Sequence, residues 1–393
     1  MISVEEALAR VLALGRVLPG ETVPLRNAAG RVMSASVAAR LTQPPFSASA
    51  MDGYAICEQD HRAGATLSVI GEAGAGHAYQ GNLRLGQTVR IFTGAPVPPD
   101  ADRVVLQEDV TRDGDHVTLS GKLEPGTHIR PAGQDFRLGD KLDAPRRLRP
   151  ADLSLLASMN IPDVSVSRRP VVAIMATGDE LVMPGEVPGP DQIIASNSFA
   201  LAAMAEAAGA EARMLPIARD SEAALRFAFG LAAGADVIVT IGGASVGDHD
   251  LVGKVAAELG LERAFWKIAM RPGKPLMAGR LGDAVLLGLP GNPVSAIVCA
   301  HLFLLPLLAS LQGLKGRHEF RHAVLIHPLG ANGVRAHFMR AHLSETGGQP
   351  RLTTFDNQDS ALLNILSKAD ALLFRPAGDP ALAEGSDVRY LPI

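Results

Sequence analysis

Cysteine is almost missing from this chain: Cys57 and Cys299 are the only two among 393 residues. They stand far apart, and neither belongs to a Cys-x-x-Cys or Cys/His spacing. That argues against a disulfide framework or a zinc site and suits a reducing compartment. Aromatic residues make up only 4%, too few for the stacking platforms that hold nucleic-acid bases. Lys and Arg number 37 against 41 Asp and Glu, a formal net charge of −4, with no extended basic run. The basic stripe that a nucleic-acid partner requires is therefore absent. The N-terminal stretch MISVEEALARVLALG carries Glu5 and Glu6 where a secretory leader would be positive. The longest apolar stretch, residues 296–311, is interrupted by His301 and Pro306 and is shorter than the ~20 residues that span a bilayer. The expectation is a cytoplasmic protein with neither nucleic-acid nor membrane partners.

What is present is globular: 47% hydrophobic and 20% charged residues, in a chain long enough for two to four domains at roughly 100–200 residues each. Residues 3–15 space Val4, Leu8, Val11 and Leu12 as a short helix. Between about 41 and 134, short runs such as TLSVI, QTVRIF, DRVVLQ and HVTLS alternate with Gly/Pro/Asp turns, predicting an antiparallel β domain. A helix opening at Pro150 follows. From 170 to 312 the pattern is α/β: VVAIMA, ARMLPIA and DVIVTIGG read as strands, with SNSFALAAMAEAAGA, SEAALRFAFGLAAG and residues 250–259 as helices. An apolar helix follows Asn292. This alternation predicts a doubly wound parallel sheet, with ligands at the carboxyl ends of its strands. After Gly316 the texture is β again (HAVLIHPL, RAHFMRAHL, ALLFRP, DVRYLPI). The expected division is a discontinuous mixed α/β segment (1–40 plus 135–169), a β-rich domain (41–134), a central α/β domain (170–312) and a small C-terminal β domain (317–393).

Four constellations could carry chemistry. GGASVGDHD, residues 242–250, leaves a strand with three glycines whose exposed N–H groups suit a phosphate. Asp248 and Asp250 add the carboxylates that magnesium takes alongside phosphate oxygens, although a solvated loop has the same composition. GLPGNP, residues 288–293, puts Asn292 at an N-cap and Pro293 at the first helical position. That is an anion-binding helix start or simply a capped buried helix. RPGKP presents Arg271 and Lys274 on a proline-fixed turn near Lys267, three cations for a dianion or ordinary surface charge. Asp179, Glu180 and Asp220 fall in strand-exit loops, where converging carboxylates imply a shared cation. PPFSASAMDGYA and TGAPVPPDAD read as constrained loops or as plain β turns.

Together these segments, with GQDF, ATGDEL, SNS, FWKIAMRPGKP and IFTGAPVPPDADRVVLQED, resemble the MoeA family, the molybdenum-inserting enzymes that include the E domain of gephyrin. The pieces run in family order from about residue 3 to residue 311. The resemblance implies a multi-domain homodimeric subunit: a central α/β domain of the molybdopterin-binding type, a β-rich insertion domain and a small C-terminal β domain. Its substrates would be adenylylated molybdopterin and molybdate, its products AMP and the molybdenum cofactor, and its cofactor Mg²⁺. A pterin adenylyltransferase and the apo-molybdoenzymes or their chaperones are the implied contacts. Carried over residue by residue, the catalytic positions are Asp52, Thr93, Asp135, Glu180, Asp220, Asp250 and Lys267. Glu180, Asp220 and Asp250 would hold the metal. Gly242, Gly243, Ser245, Gly247, Pro290, Gly291 and Asn292 would bind the pterin nucleotide, and Arg271, Lys274, Arg340 and Ser360 molybdate. The chain departs from the family at Arg271, where many members carry Lys, in NQDSALL, which lacks the usual Gly between Gln and Ser, and in KADAL. The rival expectations are a pterin adenylyltransferase on the same fold and a non-catalytic scaffold.

Overall fold

The computed structural model describes residues 1–243 and 251–393. The chain divides into two units, one made of Met1–Glu21, Gly30–Ser34 and Val166–Ile393, the other of Thr22–Ala29 and Ala35–Ser165. The four-part division expected from sequence is finer than this partition.

The smaller unit is built on a six-stranded sheet. Its strands are β1 (Gly53–Ile56), β2 (Thr66–Ala73), β3 (Gln87–Ile91), β4 (Arg103–Leu106), β5 (Val110–Asp113) and β6 (His116–Leu119), in the order β4-β1-β3-β2-β6-β5. The sheet is not wholly antiparallel as expected: β2 and β3 run parallel. Parallel neighbours need a crossover rather than a tight turn, and residues 74–86 supply one. Tyr79 from this crossover lies against Gly71, where a side chain would meet the Tyr79 ring at 2.5 Å. Alternate residues of β1 serve two apolar clusters, Ala55 with Val89, Ile91 and Val104, and Tyr54 and Ile56 with Leu67 and Val117. Helix α1 (Pro150–Ser158) begins at Pro150, as the sequence predicts.

The larger unit carries the α/β layer. Strand β7 (Val171–Ala176) leads through α2 (Asn197–Ala207), β8 (Glu211–Met214) and α3 (Glu222–Leu231) to β9 (Val237–Ile241). Then come α4 (Leu251–Glu258), β10 (Glu262–Trp266), β11 (Met277–Leu281) and β12 (Ala284–Leu289), in the sheet order β8-β7-β9-β12-β11-β10. The first four strands in that order are parallel. The last two are antiparallel, a correction to the all-parallel expectation, because β11 returns into β12 through a tight hairpin at Gly282 (φ +59°). Side chains alternate across the sheet. Val172 and Ile174 pack with α2 and the N-terminal helix (Val4–Leu14), while Ala173 and Met175 pack with α3 and α4. This burial on both faces is what made the strands legible as continuous apolar runs.

After β12 an apolar helix runs from Pro293 to Leu311, 19 residues with 72% of its most apolar window buried inside the protein. It comprises α5 (Pro293–Cys299), a π turn over Ala300–Leu304 and α6 (Leu305–Leu311). Pro306 lacks an N–H and crowds the carbonyl four residues earlier. That carbonyl, of Leu302, instead accepts from Nε2 of His318 at 2.8 Å. The C-terminal segment forms β13 (Arg321–Leu325), β14 (Ala336–Thr346), β15 (Gln349–Thr354), β16 (Ala371–Arg375) and β17 (Asp387–Pro392). Pairing of β14 with both β15 and β16 closes these strands into a barrel, and Met270–Arg271 adds alongside β14.

Candidate active site

Strand β7 leads to β8 on one side of it and β9 lies on the other, so the winding direction reverses between β7 and β9. Doubly wound sheets bind ligands at such a reversal. Here Thr177 N–H donates to Ile241 O at 3.0 Å and Gly242 N–H to Leu289 O at 3.1 Å, extending the ladder past the strand ends. Gly242 (φ +90°) and Gly243 (φ +65°) turn the chain in the left-handed region. A side chain at Gly242 would stand 3.0 Å from Thr177 O, and one at Gly243 would run into Val252. The corner thus requires glycine on both conformational and steric grounds. Over it opens a cavity of about 590 Å³ lined by Glu180, Gly242, Gly243, Pro290, Gly291 and Asn292, among others. Five of the seven residues predicted to bind the pterin nucleotide therefore meet at one cavity. Ser245 and Gly247 lie outside the described residues, as do Asp248 and Asp250.

Glu180 reaches the cavity from the loop after β7, and its carbonyl accepts from Ile193 N–H at 2.7 Å. Asp220 sits on the exit loop of β8. Its backbone N–H donates to Asp179 Oδ1 at 3.1 Å, and the neighbouring Arg219 donates to the carbonyls of Asp179 (2.9 Å) and Leu181 (3.1 Å). Asp179 is thus a loop tie, while Glu180 and Asp220 are exposed and in no ion pair among the described residues. Two free carboxylates on loops clamped together suit a hard divalent cation that takes one or two protein oxygens and completes its shell with water and phosphate. Among the described residues no group of three His, Cys, Asp or Glu is gathered for a metal.

The predicted cations separate. Lys267 adopts φ +73° and lays its ammonium 4.2 Å from the centre of the Trp266 ring. Backbone bonds from Lys267 N–H to Leu276 O and from Ile268 N–H to Lys274 O close the RPGKP turn, leaving Lys274 exposed and Pro275 lining the cavity. Gly273 (φ +104°) faces buried Cys299, whose sulfur occupies the space a side chain would need. Arg271, exposed, borders a smaller pocket with His337 and Arg375 rather than the main cavity.

Arg340 is only 1% exposed, and its guanidinium donates to the carbonyls of Asn357 (3.3 Å) and Leu362 (3.4 Å). It braces the loop that carries Ser360, and burial pushes its pKa down from the ordinary value. Ser360 accepts Asn292 Nδ2 on its hydroxyl and Val294 N–H on its carbonyl, both at 3.0 Å. Of the two readings of the helix start at Asn292, the anion site with free N–H groups is the one this arrangement disfavours. Pro293 has none to offer, Val294's is taken, and the Asn292 side chain makes no capping bond to its own helix.

In the smaller unit, Asp52 and Thr93, two of the positions carried over from the family, are in direct contact. Asp52 Oδ1 accepts both the Thr93 backbone N–H and its hydroxyl, each at 2.8 Å. These bonds, the backbone one foremost, hold the Asp52 carboxyl below its usual range. Asp135 is exposed in the same unit and tied through its backbone to Gln43 O at 3.1 Å. No hydrogen bond or ion pair among the described residues joins it to Asp52 or Thr93. Sequence reasoning missed Asn197, whose Nδ2 donates to Gly291 O at 2.7 Å and fixes the α2 start against the GLPGNP loop. The SNS motif marked the place but not the partner. Arg219 was missed altogether, since bonds to carbonyls leave no sequence signature.

Three family models match: "MoeA N-terminal region (domain I and II)" over residues 2–160, "Probable molybdopterin binding domain" over 173–310 and "MoeA C-terminal region (domain IV)" over 309–393. A molybdopterin molybdenumtransferase of Nostoc sp. is 35% identical over 95% of this chain and 88% of its own length. That of Haemophilus influenzae is 38% identical over 80% and 79%. A crystal structure of the molybdopterin biosynthesis MoeA protein from Pyrococcus horikoshii superposes with a TM-score of 0.81 at 30% identity, covering 100% of this chain and 99% of that one.

Proposed function

The chain belongs to the MoeA family, and from that premise we propose how its residues serve the family's reaction. It is a molybdopterin molybdenumtransferase of molybdenum cofactor biosynthesis. Its substrates are adenylylated molybdopterin and molybdate, and AMP leaves as the dithiolene takes the metal. The observation that carries this reading is the cavity at the sheet's reversal, with a glycine corner, Glu180 and the Asn292–Ser360 junction on its border.

The Gly242–Gly243 corner lets the phosphates approach the backbone closely, and Asn197 holds the opposite wall in place. Glu180, Asp220 and Asp250 are the residues that would hold Mg²⁺. When bound, the ion supplies charge neutralisation at the phosphoanhydride. Lys267, Lys274 and Arg271 attract the molybdate dianion, and Arg340 acts through the loop that presents Ser360. Asp52, Thr93 and Asp135 keep the functional roles carried over from the family. No side chain serves as nucleophile: an oxygen of molybdate or water ends on phosphorus as the phosphoanhydride breaks. The working form is a cytoplasmic homodimer that receives its substrate from a pterin adenylyltransferase and delivers to apo-molybdoenzymes or their chaperones.

Incubation with adenylylated molybdopterin, Mg²⁺ and molybdate should release AMP and yield metal-bound pterin in equal amounts, without ATP. ATP consumption with metal-free molybdopterin would instead make the protein an adenylyltransferase. Light scattering should give twice the chain mass; a monomer at working concentration contradicts the dimer.

A further inference from the structure

Every backbone carbonyl from Gly178 to Leu181, in the loop after β7, has a donor. Arg219 Nη1 donates to Asp179 O at 2.9 Å, to Leu181 O at 3.1 Å and, more weakly, to Gly178 O at 3.5 Å. The fourth carbonyl, of Glu180, accepts the Ile193 N–H. One guanidinium from the loop after β8 therefore takes the carbonyls on both sides of Glu180. Hydrogen bonds from a charged donor are stronger than neutral ones. With its carbonyls engaged, this loop offers its remaining oxygen donors through the carboxylates.

Arg219 is itself held on both sides. Ala218 N–H donates to Ala176 O at 2.9 Å and Gly178 N–H to Ala218 O at 3.1 Å, so β7 and β8 stay paired beyond their ends. Ser221 N–H donates to Arg219 O at 2.7 Å, and the Ser221 hydroxyl caps α3 by accepting Ala224 N–H. Asp220 stands between these fixed points, and its own N–H goes to Asp179 Oδ1. Gly178, at φ +145°, leaves room for the Glu180 carboxylate, which lies where a side chain at 178 would stand.

Resting on the proposed function, we propose that Arg219 is a positioning residue, whose guanidinium places Glu180 against Asp220 for the divalent cation they share. A hard cation takes its oxygens at short, defined distances, and the groups that orient its ligands from behind weigh heavily in its affinity. Charge and geometry act in opposite directions at this position. As a cation, Arg219 repels a second cation, so losing its charge alone would tighten metal binding. As a clamp it holds the two carboxylate loops in register, so losing its hydrogen bonds loosens metal binding. Arg219 is exposed, and solvent and salt screen the repulsion, which leaves placement as the larger effect. The sign of the change on removing the guanidinium therefore separates the two roles.

The test uses Mn²⁺, followed by its paramagnetic resonance signal, titrated into the full-length wild type, Arg219→Gln, Arg219→Lys and Glu180→Gln. Thermal melts verify that each variant keeps its fold. Arg219→Gln should weaken Mn²⁺ binding about tenfold or more. Arg219→Lys, which keeps the charge and a donor on a shorter stem, should fall between it and the wild type. Because Arg219 acts through Glu180, adding Arg219→Gln to Glu180→Gln should weaken binding little further. The Mg²⁺ concentration for half-maximal AMP release should rise in Arg219→Gln by the same factor as the Mn²⁺ dissociation constant. Unchanged or tighter Mn²⁺ binding in Arg219→Gln overturns the positioning role and leaves the proposed function standing. Wild-type Mn²⁺ binding no stronger than that of Glu180→Gln overturns the metal assignment on which the inference rests.

Discussion

Asp52 and Thr93 lie on loops that are 41 residues apart in sequence, yet one carboxylate oxygen takes two bonds from the threonine, each at 2.8 Å. Both bonds favour the ionised form, so the contribution is present above the unfolded-state pKa and is lost as pH falls through the lowered folded value. Titration of Asp52 followed by carboxyl ¹³C shifts should give a midpoint below an ordinary aspartate. Thr93→Val removes the hydroxyl bond and should raise that midpoint only in part, since the backbone bond stays; an unchanged midpoint would mean the hydroxyl bond is not formed in solution. Gly273 offers a stability test. Its φ of +104° and the sulfur of Cys299 both oppose a side chain, so Gly273→Ala should cost about 1–3 kcal/mol in urea denaturation. Residues of this kind were only half legible. Sequence marked Asp52, Thr93 and RPGKP as constrained, but a partner 41 residues distant or a buried thiol behind a glycine is a tertiary fact.

Elements were easier to read than their pairing. The runs VVAIMA and VIVTI are legible as strands because burial on both faces makes them apolar throughout, Thr240 excepted. The helices opening at Ser3 and Ser221 carry side-chain caps to Glu6 and Ala224 N–H. The strand Gln349–Thr354 escaped notice because only Leu352 in it is buried. The parallel β2–β3 pair and the antiparallel β10–β11 edge were illegible, because local pattern specifies a strand but not its neighbour. The same limit applies to the α5 start, read as either an anion site or a capped buried helix and found closed by Ser360. That junction makes a prediction about elements. Asn292→Ala and Ser360→Ala remove the two ends of one 3.0 Å bond, so a double-mutant cycle on stability should show coupling of about 0.5–1.5 kcal/mol. Amides of residues 357–362 should exchange faster in both single variants. Strict additivity would mean that the helix start and the barrel loop are held together by backbone bonds alone.

At the scale of the whole molecule, three histidines shielded from solvent are expected to make stability fall in acid. Burial pushes His301 down to about 4. His337 goes down to about 3, first through burial and then through the nearby Arg271, Arg375, Arg340 and Arg335. His318 is lowered as well, chiefly by burial. A group that stays neutral in the folded protein but titrates near pH 6.5 when unfolded gives the unfolded chain extra protons below that pH, and stability then rises with pH. The contribution of each histidine is therefore complete above about pH 6.5 and is lost as pH falls toward its folded value. Within that window the slope approaches about 1.4 kcal/mol per pH unit for each histidine. Urea denaturation at pH 7, 6 and 5 should show stability falling over both intervals, roughly twice as steeply over the second as over the first. His337→Gln should flatten the fall by one histidine's share, even though it also lowers stability at pH 7 by leaving the site less well packed. A fall that keeps its full steepness in His337→Gln would show that this side chain stays charged in the folded protein, with its four neighbouring guanidiniums failing to hold it neutral.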